Sequence, residues 1–168
     1  VKFSLRSACP MVTSVTIRRH RNGALMTSRT TSPAVVITGA STGIGAACAL
    51  ACAKQGMTVF AGVRKLEAGE VLKANAGAGV IPIRLDVTDG ASIAAAAEIV
   101  GHHVGEQGLF GLVNNAGIAI GSPLELIPLD QLRRQLEVNV IGQIAVTQAL
   151  LPLLRQARGR SRAEARSQ

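Results

Sequence analysis

The chain has 168 residues, 48% of them hydrophobic and 17% charged, with no Trp and no Tyr. That length and charge bound it at about one domain with a core of its own and exclude a wholly disordered chain. The formal charge of +8 belongs to the two ends, since residues 33–154 hold seven bases and nine acids, so the body does not read as a nucleic-acid binder.

Residues 1–32 are expected to be a disordered basic extension, carrying Lys2, Arg6, Arg18, Arg19, Arg21 and Arg29 without one acid. Their first 25 residues are rich in Ser, Thr and Arg, as a transit peptide is. The favoured reading is translated upstream sequence ahead of a start at Met26, because the segment lacks an amphipathic period. No secretory pattern is present, because Pro10 breaks the apolar stretch.

From residue 33 the chain alternates. Ala34–Ile37 is a short apolar run between Pro33 and Gly39, as a buried parallel strand should be. The next helix is expected to bury Ile44, Ala47, Cys48, Ala51 and Gln55 and to stop at Gly56. A second strand follows at Thr58–Ala61, a short helix from Leu66 to about Ala74, and a third strand over Gly79–Leu85. Pro82 places that strand at a sheet edge, since it lacks a ladder donor. Thr88 or Asp89 caps a helix that buries Ile93, Ala96, Ala97 and Val100. The fourth strand is Leu109–Val113. A long helix over 129–157, kinked at Pro152, closes the series. No continuous apolar run reaches the roughly 18 residues of a membrane span. Residues 158–168 carry Arg158, Arg160, Arg162 and Arg166 and no apolar pattern, and are expected to be a disordered tail.

Alternating strands and helices imply right-handed crossovers and a parallel sheet covered on both faces. The predicted fold is a doubly wound α/β sheet, of Rossmann type. Thr38, Gly39, Ser41, Thr42, Gly43, Ile44 and Gly45 lie between the first strand and the first helix. There, backbone N–H groups and the positive helix end converge on one point, which suits a pyrophosphate. Gly39 would permit the turn, Gly43 the approach of phosphate, and Gly45 the packing of helix on strand. At the end of the second strand stand Arg64 and Lys65, with no acid before Glu67. That favours NADP, by way of its 2′-phosphate, over NAD. An ordinary solvated Arg-Lys pair is the plain alternative.

Cys9, Cys48 and Cys52 form no CxxC, and His20, His102 and His103 lack a metal-ligand spacing with them, so no metal site is expected. The cysteine usage fits a reducing compartment, and the expected location is cytoplasmic.

These residues resemble the short-chain dehydrogenase/reductase family. The family's TGxxxGIG pattern matches Thr38 to Gly45. Its adenine-contacting Asp after the third strand matches Asp86, followed by Val87, and its NNAG motif matches Asn114, Asn115, Ala116 and Gly117. Its catalytic Asn on the next helix matches Asn139, which shares a stripe with Leu132, Leu136 and Gln143 and so is expected to point inward. The resemblance covers about residues 33–160, and its cofactor-binding domain is read as 33–157. It implies hydride transfer between NADP(H), or NAD(H), and a small-molecule carbonyl or secondary alcohol. In the family Asn139 would hold a water of the proton relay. The family's Ser and its YxxxK pair have no counterpart, for the chain has no Tyr and no Lys after Lys73.

The expectation is therefore a truncated, inactive reductase chain, incomplete after the fourth strand and following helix, with an Ala/Arg/Ser/Gln tail such as GC-rich DNA read out of frame would give. A non-catalytic dinucleotide-binding module is the alternative, and an interaction protein using its Arg-rich ends the third. Without a fifth strand, the fourth would be an exposed, aggregation-prone edge. Family members commonly form homo-oligomers through the long helix, here 129–157. No nucleic-acid or membrane partner is expected.

Overall fold

The computed structural model describes residues 32–157, so the basic extension, Cys9, His20 and the tail after Ala157 lie outside the described residues. Four strands form one parallel sheet in the order β3-β2-β1-β4: β1 Ala34–Thr38, β2 Thr58–Val63, β3 Val80–Arg84 and β4 Gly111–Val113. The helices are α1 Gly43–Lys54, α2 Leu66–Ala76, α3 Gly90–Val104, α4 Leu129–Leu136 and α5 Gly142–Gln156. A π-helical stretch, Glu137–Ile141, joins α4 to α5 without a break.

Strand side chains alternate between two cores, as the period of two requires. Val35, Ile37, Val59, Ala61 and Val80 pack beneath α1 and α2 with Ala49, Met57 and Leu72. Val36, Phe60, Ile83 and Leu85 pack on the opposite face with Ile93, Val100, Val146, Leu150 and Leu154 of α3 and α5. This is the doubly wound Rossmann-type sheet that the alternation predicts. Its chain order steps outward from β1 to β2 to β3, then returns to the other side of β1 with β4. The crevice at the carboxyl ends of β1 and β4 is thus the topological switch point, where open α/β sheets take ligands.

Several local expectations hold. Pro82 lies on β3, which pairs only with β2 among the described residues. Asp89 rather than Thr88 caps α3, accepting from the backbone N–H of Ala91 and Ser92 at 2.9 and 3.2 Å. β4, paired only with β1 among the described residues, is shorter than expected and begins at Gly111. Leu109 N–H is already committed to the Leu153 carbonyl at 2.9 Å.

Three expectations change. The buried face of α1 is Gly45 and Ala49, flanked by the partly buried Ala46, Cys48, Cys52 and Ala53, while Ile44 is 56% exposed and Ala47, Ala51 and Gln55 face solvent. This helix is apolar nearly all round, so the periodicity of its side chains names no face. The tight approach of Gly45 to Gly39, in the turn after β1, decides it. The long helix departs from α geometry at Glu137–Ile141 and not at Pro152, which sits inside α5 on the solvent side. There the carbonyl freed by the missing donor is open to water. Finally, Leu129–Gln156 as one helix has the length and mean hydropathy, 1.3, of a membrane span. Val146, Leu150 and Leu154 nevertheless turn into the core against α3.

Candidate functional site at the carboxyl ends of the strands

The turn after β1 is built from close backbone contacts. Gly39 has φ +64°, and a Cβ there would stand 2.8 Å from Ala116 Cα. At Gly45 a Cβ would stand 2.3 Å from the Gly39 carbonyl oxygen and 2.4 Å from Asn115 Nδ2. Gly43, at φ +59°, is different: a Cβ would meet nothing within 4 Å. Two glycines are therefore required by protein atoms, and the third faces open space in a left-handed conformation.

That space adjoins the start of α1. Thr42 occupies the N-cap but makes no side-chain capping hydrogen bond, and Ser41, Thr42, Gly43 and Ile44 are all exposed. The first-turn N–H groups have no intrahelical acceptor by geometry, and no hydroxyl covers them. An uncapped, exposed helix N-terminus beside an empty glycine position is a donor set that fits a pyrophosphate.

Thr38 closes the turn from below. It is 0% exposed, and its hydroxyl accepts from Asn115 N–H and Ala116 N–H, each at 2.9 Å, while donating to the Val113 carbonyl at 3.4 Å. The Asn115 amide in turn donates to the Thr38 and Gly39 carbonyls at 2.9 and 3.1 Å. Thr38 and Asn115 thus weld the end of β1 to the end of β4, and Thr38 acts by positioning the turn, because no surface of it is left to touch a ligand. Gly45 is buried for the same reason.

Arg64 and Lys65, both exposed, follow the end of β2, and Asp86, half-buried, follows β3. Asp86 does not cap α3. Its Oδ1 accepts from Thr88 N–H at 3.0 Å and Thr88 hydroxyl at 2.8 Å, and these bonds hold its carboxyl below the ordinary 3.8, with smaller help from Arg64 and Arg84. Its backbone N–H is held by Ser92 Oγ at 3.0 Å. Val87 is buried, and its carbonyl and side chain press on Gly142 of α5, where a Cβ would lie 2.7 Å from the carbonyl oxygen. Only the backbone of Val87 could meet a ligand.

Asn139 stands in the π-helical stretch. Contrary to the inward direction expected from its stripe, it is exposed, and Leu136 beside it is 49% exposed. It is hydrogen-bonded all the same: Oδ1 accepts from Ile118 N–H at 2.9 Å, and Nδ2 donates to the Ile118 carbonyl at 2.8 Å. Gly117, next to this pair, would bring a Cβ to 3.4 Å from Asn139 Oδ1. Three further residues were not predicted as site residues. Gln135 Oε1 accepts from Ile120 N–H at 2.6 Å, Gln143 Nε2 donates to the Ala116 carbonyl, and Thr147 Oγ1 accepts from Asn114 Nδ2 at 2.9 Å. Their sequence signal is a four-residue spacing with Asn139.

The comparisons with known proteins concern the family and the fold. The family model for short chain dehydrogenase matches residues 33–161. Human retinol dehydrogenase 5 is 46% identical over 127 residues, covering 75% of this chain and 40% of that protein. Human dehydrogenase/reductase SDR family member 9 is 36% identical over 141 residues, covering 83% and 44%. A short-chain dehydrogenase from Streptomyces avermitilis superposes with a TM-score of 0.70 at 36% identity over 76% of this chain and 46% of that one. An alcohol dehydrogenase from Thermococcus sibiricus, complexed with 5-hydroxy-NADP, does so with a TM-score of 0.70 at 29% identity over 77% and 56%. The chain therefore spans less than half the length of the curated relatives it matches. A glycine turn on an open helix end, an Asn-rich turn welded to it and a family match over the whole sheet lead to one conclusion: this chain belongs to the short-chain dehydrogenase family.

Proposed function

We propose that the chain is the dinucleotide-binding part of an NADP-dependent oxidoreductase that moves hydride between the cofactor and a small carbonyl or secondary alcohol. One observation carries the reading: the open, uncapped start of α1 lies beside Gly43, with Arg64 and Lys65 at the end of the neighbouring strand. The backbone N–H groups of Thr42, Gly43 and Ile44 would hold the pyrophosphate, and Ser41 could add its hydroxyl. Arg64 and Lys65 would take a 2′-phosphate, Asp86 and the Val87 backbone the adenine side, and Ala116 with Gly117 would line the path toward the nicotinamide. When bound, the dinucleotide supplies or accepts the hydride. Asn139 would hold a water where protons move, with the Ile118 backbone fixing its amide.

The absence of Tyr from the sequence favours binding without turnover by the 168 residues on their own, as a dinucleotide-binding module. Exposed Val140, Ile141 and Ile144 on the long helix support self-association through 129–157. The partly exposed free thiols Cys48 and Cys52 fit a reducing, cytoplasmic setting.

Fluorescence titration with NADPH and NADH tests the reading. Gly43→Asp should remove NADPH binding while leaving the fold intact, because Asp tolerates the left-handed backbone and its Cβ meets no protein atom. Arg64→Ala should weaken NADPH about tenfold and NADH far less. Unchanged affinity in Gly43→Asp would remove the phosphate-loop assignment, and equal losses in Arg64→Ala would return Arg64 to the solvated surface.

A further inference from the structure

The four polar side chains Gln135, Asn139, Gln143 and Thr147 lie at four-residue intervals along the long helix. Their partners fall on every second residue of the facing segment, which is neither helix nor strand: Ile120, Ile118, Ala116 and Asn114. The helix rises as the segment descends, so the two run antiparallel. Four helical residues advance about 6.0 Å and two extended residues about 6.6 Å, so the repeats nearly match.

A plain α-helix would still spoil the ladder. Four residues turn about 400°, so an i, i+4 stripe drifts by about 40° per rung and about 120° over three. The π-helical stretch Glu137–Ile141 is centred on the Asn139 rung. Its i→i+5 closure puts more residues in each turn, so four of them advance less than they would in an α-helix and the drift is held back. The helix irregularity and the ladder thus have a single geometric explanation.

At its Ala116 end the ladder meets the glycine turn. Ala116 Cα is the atom a Cβ on Gly39 would strike, and Ala116 N–H is held by the Thr38 hydroxyl. Gln143 is oriented to serve carbonyls: Nε2 faces those of Ala116 and Val138, and its own Oε1 is buried without a hydrogen-bond partner. An orphaned acceptor has a cost, and this one remains because the NH₂ end is required where it is.

We propose that this side-chain ladder sets the height of residues 114–120 against the glycine turn, making Gln143 and Gln135 positioning residues for the dinucleotide. The positioning role rests on the dinucleotide reading; the ladder itself does not. Gln143→Met keeps the shape and removes both the donor and the orphaned acceptor. In the whole 168-residue chain, NADPH should bind about tenfold more weakly, since small misplacements of a binding element are amplified. The N–H groups of Ile118 and Ile120 should exchange faster, although their own partners Asn139 and Gln135 are intact. A control cavity in α5, Val146→Ala, should lower the unfolding midpoint and leave NADPH affinity alone.

Unchanged exchange at Ile118 and Ile120 in Gln143→Met would overturn the ladder. Faster exchange with unchanged NADPH affinity would overturn its positioning role. If Gln143→Met fails to fold, Gln135→Met tests the same coupling from the other end, through exchange at Ile118. A wild-type chain that leaves NADPH fluorescence unchanged would overturn the dinucleotide reading, and the exchange experiment would still decide the ladder by itself.

Discussion

Two segments meet at the candidate site, and they are held by opposite means. The turn 38–45 is fixed by the absence of side chains: Gly39 and Gly45 let backbone atoms approach to distances that no Cβ allows. The segment 114–120 is fixed by the presence of side chains: three amides of a helix bond its main chain, and a helix hydroxyl bonds the Asn114 side chain. The first device fails by steric overlap, which is abrupt, and the second by loss of individual hydrogen bonds, each worth about 0.5–1.5 kcal/mol net. On the proposed reading, the turn leaves its N–H groups free for a dinucleotide and so cannot cover them with its own side chains. A segment that lines the same crevice can be braced from behind.

The sharpest way to break this contrast is Gly45→Ala. Its methyl would have to displace the Gly39 carbonyl and the Asn115 amide, both backed by Thr38, so the expected loss is about 3 kcal/mol in denaturant unfolding, at the upper end for overpacking. A variant as stable as the parent would show that the turn is not set by contact. Thr38→Val comes next. It keeps the volume but leaves Asn115 N–H and Ala116 N–H without their acceptor. About 2 kcal/mol should be lost, and exchange at both amides should rise in the same sample. Thr38 stands in one segment and both amides in the other, so unchanged exchange at Asn115 and Ala116 would refute the weld between β1 and β4.

The smallest effect belongs to Asp86, on the exposed side of the site. Its folded-state pKa lies below the ordinary 3.8 because Thr88 donates to it, so its contribution is present above that value and fades as pH falls through the lower folded-state value. Thr88→Ala removes the hydroxyl bond and keeps the larger backbone N–H bond, so the Asp86 titration, followed by NMR, should rise only part of the way toward 3.8. The stability change at neutral pH should stay below about 1 kcal/mol, as for exposed pairs. A titration that does not move would take the hydroxyl out of the account and leave the backbone N–H of residue 88, with Arg64 and Arg84, to hold the carboxyl.

The framework that carries the candidate site is legible in the sequence. Gly39, Gly43 and Gly45 announce a strand-turn-helix, Asp86 and the Asn114–Gly117 turn fall at strand ends, and Pro82 marks an outer strand, all from local patterns of a few residues. Other features depended on partners far away in sequence. Asn139 was expected to point inward from its helical stripe, yet it is exposed and bonded to Ile118, 21 residues away. The stripe that matters joins it to Gln135, Gln143 and Thr147, whereas the period-3.6 stripe shares Gln143 but takes Leu132 and Leu136 in place of Gln135 and Thr147. Thr38 read as a ligand contact and is a buried brace.

What the sequence determined by itself is the order of strands and helices, the parallel class of the sheet and the location of a phosphate-sized turn. Each follows from backbone propensity and short-range hydrophobic spacing, which do not need a partner. Tertiary structure alone decided which side of the uniformly apolar α1 is buried, where the long helix leaves α geometry and which polar side chains brace the crevice. Those choices minimise overlap and unpaired buried groups between segments 15 to 78 residues apart, and no local pattern encodes an interaction at that range.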